Sequence, residues 1–209
     1  MHSSDDGRCD GDDHRHGGPC EHGTHRRRVL GAGAAGVAAS LAGCLDGLTG
    51  DGSDAPAAVA IADDAACDVC GMVIEKHPGP NGQLFYADES PAGHDNPARF
   101  DALKQCFFPY KFERDAMGWS ETAAYVTDYS AVDYDVSAES GATTISSHAE
   151  ASAFAPAADL QYVVGSDVQG AMGPDFVPFS DGGDATSFAE EYGGDVVSFD
   201  EIGEGLVGR

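Results

Sequence analysis

Between residues 67 and 202 the chain runs twice through the same succession of patterns, and a repeat of that kind constrains the fold more than any single segment does. The first pass begins with the apolar stretch MVIEK (72–76) and a Pro/Gly loop, HPGPNG (77–82). QLFYADE (83–89) then alternates as a strand should. The spacing predicts a helix over 97–110, with Asn96 as N-cap, Pro97 at the first helical position and Phe100, Leu103 and Phe107 on one face. AAYVTDY (123–129) closes the pass as a strand. The second pass reads LQYVVGS (160–166), a Gly-rich loop DVQGAMGP (167–174) and DFVPFSD (175–181). A short helix capped by Asp184 and ended by Gly193-Gly194 follows, and then DVVSFDE (195–201).

Each pass is therefore a strand, strand, helix, strand unit. Such a unit is too small to cover its own sheet, so two similar ββαβ units should pack together as one α+β body. Residues 67–129 form the first unit, 130–159 an Ala-, Ser- and Asp-rich connector, and 160–209 the second unit with the C-terminal tail.

The first 66 residues read as an address and not as a fold. Arg26, Arg27 and Arg28 precede a mild Ala/Gly/Val run that is shorter than the roughly 20 apolar residues a membrane-spanning helix needs. This has the pattern of a twin-arginine export signal. Leu41-Ala42-Gly43-Cys44 has the form of a lipobox, which makes Cys44 the expected lipidation site and 1–43 the signal with its N-terminal extension. The extension holds five histidines and two cysteines, but it precedes the arginines and would be discarded with them. Residues 44–66 are then a lipidated flexible stalk, tying an extracytoplasmic domain to the membrane.

Charge excludes one class of partner. The chain carries 36 acidic against 11 basic residues, a net charge of −25, the balance of a halophilic protein whose carboxylates hold water at high salt. There the Debye length falls to roughly 3 Å, so the acidity is no long-range lure. No basic patch with interleaved aromatics exists past residue 30, which excludes nucleic acid.

The chemistry sits in CDVCGM (67–72), two thiols and a thioether within six positions. A redox dithiol needs a helix starting at the first Cys, and the pattern here turns strand-like instead. A structural zinc site needs four N/S donors, and no second CxxC or HxxxH appears. A plain disulfide between Cys67 and Cys70 stays open. Thiolate together with thioether selects Cu(I) over zinc and hard cations. If residues 70–72 are extended, Cys70 and Met72 face the same side. Met172 in GAMGP lies between glycines that would not pack it as core, whereas Met117 before Trp119 reads as core filler. His77 could add a nitrogen ligand, His94 and His148 sit in polar loops, and Cys106 beside two phenylalanines reads as a small buried hydrophobe.

CGMVIEKHPGPNGQ (70–83), VVGSDVQGAMGPDFVPF (163–179) and FAEEYGGDVVSFDEI (188–202) together resemble the NosL family, lipoprotein copper chaperones associated with nitrous oxide reductase. The resemblance implies a Cu(I) site on Cys70 with Met72, Met172 or both, and two similar ββαβ units. It also implies export with a lipid anchor, no catalytic turnover, and nitrous oxide reductase and an accessory ABC-type transporter as partners. Cys67 is not required by that pattern, and stands as an extra ligand, a disulfide partner or neither. The rival readings are a thiol–disulfide oxidoreductase using Cys67 and Cys70, and a structural lipoprotein that binds no metal.

Overall fold

The computed structural model describes residues 55–208 apart from Ser140. The arginines at 26–28, Cys44 and the start of the stalk lie outside the described residues. Among the described residues no helix is long and apolar enough to cross a membrane.

The described residues form three sheets and three α-helices, a mixed α+β fold. In the first sheet β1 (Gly82–Tyr86) lies between β2 (Ala98–Phe100) and β3 (Glu121–Thr127), both antiparallel to it, and a short strand at Phe154–Pro156 extends the sheet beyond β3. All five β1 residues are buried, as a central strand requires. Its polar member, Gln83, exchanges two hydrogen bonds with the backbone of Val59 (3.1 and 2.6 Å), so no buried amide goes unpaired there. That exchange also fastens residues expected to belong to a loose stalk. Ile61 and Ala65 are buried, and the Ile61 N–H donates to the Ala149 carbonyl.

Two further strands, β4 (Val136–Glu139) and β5 (Ala142–Ile145), form a hairpin inside the segment expected to be a plain connector, and the Phe154–Pro156 strand is β6. In the second sheet β7 (Gln161–Val164) lies between β10 (Val177–Phe179) and β11 (Asp195–Ser198). Both sheets thus place the first strand of a trio between the later two, with a helix before the third. The loop expected over 167–174 is a hairpin, β8 (Val168–Gly170) and β9 (Gly173–Pro174), and β8 joins β5 in parallel.

Several local expectations shift. MVIEK is no strand: Ile74–Lys76 is a 3-10 turn, and Val73 makes one isolated bridge to Ala66. The helix begins later than the Asn96 signal suggested. Residues 98–100 pair with β1, and Asn96 donates from Nδ2 to the Tyr86 and Glu89 carbonyls, closing the loop between β1 and β2. The helix opens with a π-helical turn at Leu103–Phe107 and continues as α1 (Phe108–Ala116). Met117 past its end is 59% exposed and is not core filler. The second long helix, α2 (Gly182–Tyr192), takes Asp181 and not Asp184 as its cap: the Asp181 carboxylate accepts from the Gly183 and Asp184 N–H groups. α3 (Glu204–Val207) ends the described chain.

One apolar cluster spans the first and second sheets. Phe108 packs edge-on or tilted against Phe107, Phe112, Tyr162, Phe176 and Phe199, so the first helix and the second sheet share one core. A smaller cluster under α2 gathers Tyr129, Val163, Phe179 and Phe188.

Candidate metal centre

Four elements converge on the sulfurs. Residues Cys67 to Met72 fold into a tight turn: the Cys67 N–H donates to the Met72 carbonyl (2.8 Å) and the Gly71 N–H to the Cys67 carbonyl (2.9 Å). Gly71 sits at φ +77°, a conformation glycine adopts without a Cβ penalty. This breaks the extended run that would have set Met72 beside Cys70. Asp68 straps the turn to β2. Its N–H donates to the Arg99 carbonyl (3.0 Å), its Oδ2 accepts from the Arg99 N–H (2.7 Å), and its Oδ1 lies 2.8 Å from His94 Nε2.

Asp101 follows directly on the end of β2. The π-helical turn follows at once, with the Phe107 N–H reaching back to the Ala102 carbonyl (3.0 Å). Leu103, Cys106 and Phe107 are all fully buried by it. The start of this helix has no cap of its own. Asp175, from the loop after β9, supplies one: its carboxylate accepts from the N–H groups of Leu103 (3.1 Å) and Lys104 (2.7 Å) as well as Phe176 (2.8 Å). Gln105 Nε2 donates to the Pro174 carbonyl (2.8 Å). The β8–β9 hairpin is thereby docked on the helix start, and Met172 at its tip brings Sδ to 3.6 Å from Cys106 Sγ.

The result is a set of donors from Cys67, Cys70, Asp101 and Cys106 that lie within 4.8 Å of one another, with Met172 alongside. Cys67, Asp101 and Cys106 are buried, Cys70 is half-buried and Met172 is 44% exposed, so the cluster opens to solvent on the methionine side. Cys67, Cys70 and Cys106 are free thiols. Cys70 donates to both Asp101 oxygens at 3.3 Å.

The protonation of the three thiols is divided. A side-chain hydrogen bond with Cys106 acts on Cys67, and the backbone N–H groups of Cys70, Asp101 and Val69 add to it. Together these outweigh burial and hold Cys67 down at about 7. Burial pushes Cys70 up to about 11, with the Asp101 carboxylate beside it acting in the same direction. Cys106 is raised far above the thiol range by its side-chain hydrogen bond with Cys67 and by desolvation.

Of the residues singled out in the sequence, Cys67, Cys70 and Met172 are brought together. His77 follows the 3-10 turn and is not one of the four clustered donors, and Met72 contributes its carbonyl to the turn. Cys106 is no mere hydrophobe. Asp101 was not anticipated either, and its signal was faint: an acid wedged between Phe100 and Ala102-Leu103 has no reason to be buried unless something there needs its charge. His94 holds Asp68, and His148 meets Ser146 (3.0 Å) and Glu150 (3.6 Å) away from the sulfurs.

Fold and cluster together define an α+β protein with a sulfur-rich site of the kind that takes a soft metal ion. The chain belongs to the NosL family, whose profile matches residues 58–207. The copper-binding lipoprotein NosL of Stutzerimonas stutzeri is 27% identical over 150 residues, covering 71% of this chain and 67% of that one. The crystal structure of the copper chaperone NosL from Shewanella denitrificans superposes with a TM-score of 0.53 at 30% identity, over 71% of this chain and 96% of that one.

Proposed function

We propose that this chain is a non-catalytic carrier of Cu(I), lipid-anchored on the extracytoplasmic face of the membrane, which supplies copper for assembly of nitrous oxide reductase. The observation that carries the reading is the gathering of three thiols and a thioether in one half-open cluster on a NosL chain. Thiolate and thioether favour Cu(I), and the Stutzerimonas and Shewanella relatives are a copper-binding lipoprotein and a copper chaperone. The body would be two similar ββαβ units, and the partners the reductase and its ABC-type transporter.

Transfer would proceed by ligand exchange. Cys70 contributes affinity as an anionic thiolate, whose proton must leave on binding and so makes uptake pH-dependent, and Met172 contributes lability, being neutral and exposed. An incoming sulfur or imidazole attacks from the open methionine side, and copper passes without being freed.

The test is a titration of the reduced, anaerobic full-length chain with Cu(I) against a competing chelator, wild type beside Cys70→Ser, Cys67→Ser and Met172→Leu. Weaker binding in both Cys70→Ser and Met172→Leu is expected. Wild-type affinity in both would overturn the carrier reading, and a loss confined to the cysteine variants would favour a dithiol oxidoreductase.

A further inference from the structure

We propose that the cluster takes up two Cu(I) ions that share the Cys106 sulfur: an inner ion held by Cys67, Cys70 and Cys106, and an outer one held by Cys106 and Met172. This rests on the carrier reading and goes beyond it in stoichiometry and in the role of Cys106.

The geometry divides the donors into two sets with one member in common. Cys106 Sγ belongs to the tight group with Cys67 and Cys70, all within 4.8 Å. It is also the thiol that Met172 approaches, at 3.6 Å. A sulfur in both sets is placed to bridge. Cu(I) is content with two or three soft donors, so four sulfurs exceed what one ion uses, while a thiolate has lone pairs for two.

Uptake of Cu(I) displaces the protons of the thiols that bind it, and these leave to solvent. The outer position opens to solvent through the exposed Met172, and is the one a partner would reach first.

The experiment counts Cu(I) equivalents on the reduced, anaerobic full-length chain by chelator competition, and records copper X-ray absorption at each loading. Two equivalents are expected, with a short Cu–Cu scattering path that grows in only as the second is added. Met172→Leu, at an exposed tip where folding is not at risk, should drop to one equivalent and lose that path. Cys106→Ser, checked for folding by near-ultraviolet circular dichroism, should do the same. Saturation of the wild type at one equivalent without Cu–Cu scattering would overturn the shared-sulfur centre and leave the carrier reading standing. Two equivalents retained in Met172→Leu would likewise overturn the outer position. No binding at all would overturn both.

Discussion

At the scale of single residues, Asp101 shows how a charge can matter to a metal site without being the metal's principal donor. Its carboxylate accepts the Cys70 thiol through both oxygens and so fixes where that sulfur points. Outer partners of this kind are typically worth about 10–100-fold in metal affinity. Asp101→Asn should therefore weaken Cu(I) binding by about that factor in a chelator competition while leaving the circular dichroism of the fold unchanged. An unchanged affinity would mean that the thiol is oriented by the turn alone. The cysteines of the CxxC pair and Met172 were legible in the sequence because their types and spacing are chemically specific. Cys106 was not, because a thiol between apolar neighbours looks the same whether it fills space or faces another sulfur. Only the third dimension separates the two.

At the scale of elements, the docking of the β8–β9 hairpin decides where the methionine sulfur sits. Gly79 in the HPGP loop packs against this hairpin so closely that a Cβ on it would lie 2.6 Å from the Gly170 Cα, and its φ is +109°. Its N–H also donates to the Ile145 carbonyl (2.8 Å). Gly79→Ala should cost about 1–3 kcal/mol, read as a lowered midpoint in urea, since backbone and not a flexible side chain must give way. The strands over 83–86, 161–164, 177–179 and 195–198 could be read from alternation and apolar runs. Residues 98–100 could not. The Asn-Pro pair is an equally good signal for a helix start, and the pairing of Ala98 and Phe100 with β1 is a non-local contact with no local trace. The same holds for the hairpin inside DVQGAMGP, whose β8 strand is recruited by a parallel partner in β5.

For the molecule as a whole, the question is whether the two sheets stand or fall together. Phe108 on α1 touches Tyr162 of β7 as well as Phe176, so its removal opens a cavity in a core common to both. Phe108→Ala should cost about 3–5 kcal/mol, and fluorescence and far-ultraviolet circular dichroism should still report one coincident transition. Separate transitions would show independent units. Asp175 is the second tie. It is fully buried, and desolvation pushes its carboxyl up to about 7 despite the N–H groups of Lys104, Phe176 and Leu103, with the negative charge of Asp101 adding to the rise. The ordinary value is 3.8, so between about pH 4 and 7 the folded chain keeps a proton that the unfolded chain gives up. Stability on this account falls as pH rises through that window and levels off above it. Asp175→Asn should flatten that slope in urea midpoints taken from pH 4.5 to 8, and an unaltered slope would place the pH dependence in other groups.

The π-helical turn at Leu103–Phe107 carries a consequence for kinship. Such a turn fits one more residue into the same rise than an α-helical turn does. A relative one residue shorter between Ala102 and Phe108 would wind there as ordinary α-helix, and the chain on the N-terminal side of the deletion would swing by about 100° relative to the rest of the helix. Its aromatic core could be kept in place, but a cysteine on that turn would no longer look toward the CxxC loop. Loop length in this one stretch, more than the presence of any cysteine, should sort family members into those with a third sulfur at the centre and those without.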